Sequence, residues 1–350
     1  MSTLKVDTIT DSSSGLTTTI NGFTPNIGNM GGRNIVINGA MQVAQRGTSR
    51  SFGGTYNTLD RWAMGQYQQA GHEQVSVTDT SVPVKKAIKV TSSSTSEASS
   101  GTRMALAQIV ESQNCDFLAG KTVTLSFYIR FSDATMTGGG DFLFQLNEYD
   151  SVDPNLLTTG ATRENNTTIA QGSLPTSWTK YTKTITCSST MKNLGARFLF
   201  SNLFNTTANS DEWYEVTGVQ LEVGSTATPF EHRSYGDELL RCQRYYEKKG
   251  QSSTSTAWAF YEMNAVMAQS TNYVQGDKFK VEKRTDPTLV FYSRNGTSGK
   301  ISLFNNGADA TGSWTQNAKG ATGFHAVVGP AASITKGDGY EYGYTADAEL

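Results

Sequence analysis

The sequence predicts an all-β protein: a jelly-roll β-sandwich, then a short helix, then a second β-rich C-terminal domain, behind an extended N-terminal segment. Three observations carry this. Residues 122–131, TVTLSFYIRF, put Val123, Leu125, Phe127, Ile129 and Phe131 on one side and Thr124, Ser126, Tyr128 and Arg130 on the other. That is the period of a strand with one buried face. Similar short runs recur between Gly- and Asn-rich turns, the spacing of a sandwich or jelly roll. Only residues 237–248 show convincing helical spacing.

Composition agrees. The 350 residues suffice for two or three domains, with 34 glycines, 7 prolines and 17% charged residues. That mixture suits short strands joined by polar turns, and 10% aromatic content is too high for a disordered chain. The 29 basic and 31 acidic residues leave a net charge of −2 with no basic run, so nucleic acid is not expected as a partner. Cys115, Cys187 and Cys242 are widely spaced and odd in number, and they read as free thiols. No apolar run reaches 18 residues and the first 20 lack a signal-peptide core, so neither membrane insertion nor export by such a signal is expected.

Taken in chain order, residues 1–32 offer one short strand, with Leu4, Val6 and Ile9, and then a Ser/Thr/Gly stretch that cannot build a core alone. Adding to a partner's sheet would order it; a loose tail is the alternative. Residues 33–235 form the expected sandwich. Phe142, Phe144 and Leu146 repeat the alternation, as do Ala196, Phe198 and Phe200; Trp178, Tyr181, Ile185 and Cys187 mark a further strand. Residues 104–111 fit a strand or a short helix, and a strand is expected. In TGVQLEV, Val219, Leu221 and Val223 face inward and Gln220 and Glu222 outward. Asn38-Gly39 and Gly53-Gly54 signal turns.

Pro229 then holds the chain extended, and a helix follows within residues 236–250, with Asp237 as its N-cap and Leu239, Cys242 and Tyr246 on one face. So short a helix must pack on something, a second copy of the chain being one option. Residues 251–350 form the second β-rich unit. Phe279 and Val281 alternate with lysines. Leu289 and Phe291 lead into an Asn295-Gly296 hairpin turn, with Ile301 and Leu303 as the returning strand. Asn306-Gly307 is another turn, and the aromatics of residues 340–344 supply a last strand closing the sheet.

Several motifs together resemble tail-fibre or receptor-binding proteins of tailed bacteriophages, those of cyanophages and other marine phages above all. They are STLKVDTIT at the start, NIVINGAMQVAQRGTS at 34–49, YNTLDRWAMG at 56–65, TGVQLEVGSTATPFEHRSYGDELLRCQRYYEK at 217–248 and the terminal YTADAEL. The sandwich also looks like a carbohydrate-binding module, with its Asn-Gly opening, Trp178 and Tyr181 in mid-chain, and a closing strand over 214–223. The resemblance implies a homotrimeric fibre on a virion tail, assembled in the host cytoplasm. It would be anchored to a tail or baseplate protein through Leu4, Val6 and Ile9, joined at Leu239, Cys242 and Tyr246, and bind a host-surface glycan.

Chemistry in the sequence is sparse. His72, His232 and His325 lie near no cysteine or carboxylate at metal spacing, and no nucleophile elbow or phosphate loop is present. Asp141, Glu148, Asp150 and Asp153 are close enough in sequence to pose as glycosidase acids, but they read better as solvated surface acids; DSVDPN at 150–155 could alternatively hold Ca²⁺. No catalytic residue and no cofactor are expected. Glycan binding needs aromatic faces, and the tip candidates are Trp258, Tyr292, Trp314 and Tyr340, although core packing more often explains such a ring. In LDRW, Asp60 and Arg61 are expected to form a structural salt bridge or an interface contact, with Trp62 as a core or interface anchor. A small glycan-modifying enzyme and a purely structural adaptor are the alternative functions.

Overall fold

A computed structural model describes residues 32–50, 56, 58–64, 70–92, 104–136, 140–155, 160–201, 212–250, 263–268, 270–330 and 334–349. Eighteen strands and one α-helix appear among them. The first ten strands are β1 (Ser49–Arg50), β2 (Ala70–Ser76), β3 (Lys86–Ser92), β4 (Leu106–Ile109), β5 (Thr122–Phe131), β6 (Phe142–Tyr149), β7 (Arg163–Ile169), β8 (Thr179–Thr186), β9 (Asn193–Phe200) and β10 (Trp213–Val223). They build two antiparallel sheets, ordered β1-β2-β3-β10-β5-β8 and β4-β9-β6-β7. The two pack face to face as a jelly-roll sandwich. Phe127 from the larger sheet meets Phe144 and Phe198 of the smaller edge-on, at 4.9 and 4.8 Å, and Phe131 meets Phe142 at 4.9 Å. The alternation read from residues 122–131, 142–146 and 196–200 is the inner face of this core.

One strand departs from its expected pattern. In β10, Gln220 and Glu222 are buried as deeply as Val219 and Leu221, while Val223 is exposed. Two features explain this. The register against β5 shifts between Thr217 and Gln220, an extra residue that keeps Tyr214, Val216, Val219 and Leu221 on one core-facing side. Gly218 makes the bulge at φ +59, and a Cβ there would press on the Tyr128 ring. The chain after β10 then folds back over the outer side. Gln220 donates to Glu222 at 2.8 Å and accepts from the Glu231 amide at 2.7 Å, and Glu222 accepts from the Thr228 amide at 2.9 Å. The bulge also receives Gly39, whose missing Cβ would lie 2.0 Å from the Val219 carbonyl oxygen.

The helix, α1, runs Tyr235–Gln243, not to residue 248. Its N-cap is Ser234 rather than Asp237: the Ser234 hydroxyl accepts from the Asp237 amide at 3.1 Å and donates to its carboxylate at 2.7 Å. Tyr246–Lys249 is instead a strand, β11, because β18 supplies its hydrogen-bond partners. The remaining strands are β12 (Asn264–Met267), β13 (Tyr273–Lys278), β14 (Thr288–Tyr292), β15 (Ser302–Leu303), β16 (Thr315–Gly320), β17 (Gly323–Val328) and β18 (Gly339–Asp347). The aromatic strand at 340–344 is central, not merely last. β11 and β14 take the two edges of its C-terminal half, and β12 and β15 those of its N-terminal half.

The Asn295-Gly296 turn forms, with the Ser293 amide donating to Thr297 at 3.1 Å, but β14 and β15 do not zip together as a hairpin. Each pairs with β18 on one edge; on the other, β14 takes the Gly299 amide on the Phe291 carbonyl at 2.8 Å, and β15 accepts no strand among the described residues, Leu303 donating to Ala308 at 2.8 Å. Residues 279–283 are not a strand either; Phe279 enters the second core. There Phe324 of β17 meets Phe291 at 5.4 Å and Tyr344 at 5.3 Å. Sheet β13-β17-β16 closes this unit.

One buried group makes stability depend on pH. His72 in β2 is 2% exposed and neither ring nitrogen has a partner, so burial pushes its pKa down to about 3. The unfolded chain therefore takes up a proton below pH ~6.5 that the folded chain refuses, and stability falls from there toward pH 3. His72→Leu should remove this loss. The stability difference between the variant and wild type should grow in the variant's favour by about 1.4 kcal/mol per pH unit below 6.5, read from urea unfolding at pH 7 and pH 5. A constant difference would contradict the buried neutral imidazole.

Candidate functional site

The outer side of the six-stranded sheet carries the best-formed surface constellation. Pairing sets Glu215 of β10 between Lys89 of β3 and Arg130 of β5, with Glu73 of β2 next to Lys89. The Ile129–Thr179 pair brings Trp178 beside Arg130. Trp213 starts β10, its amide held by the Ser132 hydroxyl at 3.1 Å. All these side chains share the face opposite the core because each sits one residue from an inward neighbour: Arg130 beside Ile129 and Phe131, Trp213 beside Tyr214.

The geometry is a ladder. Arg130 Nε donates to Glu215 Oε2 at 2.7 Å. Its guanidinium lies 5.0 Å from the Trp178 ring centre and 5.4 Å from that of Trp213, and the Lys89 ammonium lies 5.0 Å from Trp213. Trp178, Trp213, Arg130 and Lys89 are all half-buried. Trp178 is fixed from behind by a small apolar cluster containing Val82, Val84 and Tyr128, with Phe230. Two indoles are thus held in place, each with exposed area, around a charge row of Glu73, Lys89, Glu215 and Arg130. Flat apolar rings beside fixed donors and acceptors are what a sugar needs: rings for its C–H face, charged groups for its hydroxyls. The same contacts also stabilise the sheet, each exposed cation–π contact by about 0.5–1 kcal/mol.

The tip aromatics are placed differently. Trp314 is 4% exposed, its indole covering Gly329, and Tyr340 is 1% exposed with its hydroxyl accepting from the Thr335 amide. Neither has a ring face free for a sugar. Tyr292 is half-buried at the end of β14, and Trp258 lies outside the described residues, as do Leu4, Val6 and Ile9. At the helix, Cys242 is fully buried and Tyr246 nearly so within this single chain, and Leu239 is half-buried. The Tyr246 ring stacks under Arg46 at 3.6 Å, so Cys242 and Tyr246 pack into their own fold rather than facing a neighbouring copy.

The carboxylates are occupied. Glu148 is buried, not solvated: it accepts from Arg163 at 3.2 Å, Ser188 at 2.7 Å and Asn165 at 3.1 Å. Asp150 pairs with Arg163, Asp141 accepts from the Gln171 amide at 3.0 Å, and Asp153 accepts from the Ser112 amide at 2.8 Å. Among the described residues no group of three or more potential metal ligands occurs, and no helix is long and apolar enough to cross a membrane. The three cysteines are free and buried, and burial raises the Cys115 thiol to about 12 and that of Cys187 to about 11. Asp60 and Arg61 do not pair with each other. Each forms a structural ion pair elsewhere: Asp60 meets Arg46 at 3.3 Å, and Arg61 meets Glu349, which Arg46 also reaches at 3.4 Å. Trp62 is a core residue, its indole N–H donating to the Asn38 carbonyl at 3.0 Å.

No family model and no curated protein matches the sequence. Among solved structures, the enzymatically active domain of bacteriophage CBA120 tailspike protein 4 is similar over 55% of this chain and 21% of its own, at 12% identity and a TM-score of 0.35. The chain thus spans about a fifth of that tailspike domain. A family 16 carbohydrate-binding module is similar over 46% of this chain and 89% of its own, at 12% identity and a TM-score of 0.28. The CBM22-1 xylan-binding domain of Paenibacillus barcinonensis Xyn10C is similar over 55% of this chain and 96% of its own, at 12% identity and a TM-score of 0.29.

Proposed function

We propose that this chain is a non-enzymatic, glycan-binding component of a phage tail, a fibre that holds the virion to its host. The observation that carries the binding role is the Trp178–Arg130–Trp213 ladder on the outer jelly-roll face. The opening and junction motifs at 34–49 and 217–248 support the tail-fibre reading. The carboxylates that could have served a glycosidase are each tied to structural partners, which supports binding without catalysis. A homotrimer would multiply a weak single-site affinity by avidity, with residues 1–32 attaching to a tail or baseplate protein.

The test is adsorption. A fluorescently labelled chain should bind host cells, and the purified surface polysaccharide should compete. The double variant Trp178→Ala/Trp213→Ala should lower affinity at least about tenfold, equivalent to about 1.4 kcal/mol for the two lost rings. Unchanged adsorption by a folded double variant would move the binding site elsewhere, and release of reducing ends from the polysaccharide would replace binding by catalysis.

A further inference from the structure

A second site lies apart from the ladder and shares no residue with it. Helix α1 and strand β11 flank a cleft of about 550 Å³, within the range of small-ligand pockets. Its apolar lining comes from Leu239, Met263 and the ring of Tyr235, a residue 56% exposed. Lys248, Lys249 and Lys280 also line it, and among the described residues only Lys249 has a carboxylate partner, Asp277 at 2.7 Å. Gln243 is the telling member. It is 3% exposed and its backbone carbonyl accepts from Lys283 at 2.7 Å, while its side-chain amide makes no hydrogen bond among the described residues. The amide's donors and acceptor are thus left open to a ligand at the cleft wall.

We propose that this cleft binds a saccharide bearing an acidic group. The acid sits between the ammonium groups of Lys248 and Lys280, the ring lies on Tyr235 and Leu239, and a ring hydroxyl completes the Gln243 amide. A bare anion would leave the apolar half unused, and a neutral sugar would leave two ammonium groups unmatched. This goes beyond the ladder, and it stands or falls separately because the two sites have no side chain in common.

Calorimetric titration of the full chain with tri-galacturonate tests it. Binding is expected, weakening when salt is raised and disappearing with the methyl-esterified trisaccharide. Lys248→Glu/Lys280→Glu should lower affinity at least about tenfold, Tyr235→Ala should also lower it, and Trp178→Ala/Trp213→Ala should leave it unchanged. No heat of binding, equal affinity in the double lysine variant, or inorganic sulfate binding as tightly as the trisaccharide would each overturn the proposal. Loss of uronate binding in the tryptophan variant would overturn it too, by placing the acidic sugar on the ladder.

Discussion

Replacing Arg61 with leucine is expected to destabilise the protein by about 3–5 kcal/mol, the range for breaking a buried ion pair from one side. Arg61 is 1% exposed. It pairs with Glu349, donates to the Ile109 carbonyl at 2.7 Å and lies 3.7 Å over the Tyr245 ring. Glu349 belongs to the segment after β18, so this pair ties the sandwich to the second β unit. Arg46 extends the tie, reaching Asp60 at 3.3 Å, Asp347 at 3.1 Å and Glu349 at 3.4 Å. Two guanidiniums thus face three carboxylates. One acid must bear the shortfall, and burial together with the charge of Glu349 pushes Asp60 up to about 6. Removing Arg61 leaves Glu349 sharing Arg46 alone and deepens that imbalance. Urea unfolding should show the loss, and the sandwich and the second unit, coupled through this cluster, should separate into two transitions. A loss below about 1 kcal/mol would mean that the cluster is solvated like a surface pair.

Phe127→Ala should cost a similar amount, about 3–5 kcal/mol, by a different route. Phe127 is fully buried, and its ring meets Phe144 at 4.9 Å and Phe198 at 4.8 Å across the sandwich. Truncation removes both aromatic contacts and opens a cavity at the centre of the larger core cluster, where two facing sheets leave little room to collapse. The check is the denaturant midpoint at constant slope. Because Phe127 and Arg61 share no partner, their losses should add in the double variant.

The sandwich strands were legible because their alternation is clean: the inward set of β5 reads directly from TVTLSFYIRF. What escaped reading came from non-local pairing. Nothing in GVQLEV announces that Glu231 and Thr228 return to cover Gln220 and Glu222, so a two-sided buried strand looked one-sided. The stretch after Gln243 kept helical spacing in sequence, but the edge of β18 claimed it as β11. The same limit applied to the site. Tip aromatics are visible as composition, and composition does not say which way a ring faces; Trp314 and Tyr340 face inward. Trp178 and Trp213 are 35 positions apart and meet around Arg130 only because β10, β5 and β8 are adjacent in the sheet. The one available signal was parity: Arg130 alternates outward from Ile129 and Phe131, and Trp213 shares the parity of Glu215.

The most direct test of the account is a glycan array probed with the intact chain and with Trp178→Ala/Trp213→Ala side by side. The wild-type chain should retain a defined set of glycans, and the double variant, melting at an unchanged temperature, should lose the neutral members of that set. A wild-type chain that retains no glycan, or a folded variant that retains the same set, would contradict it.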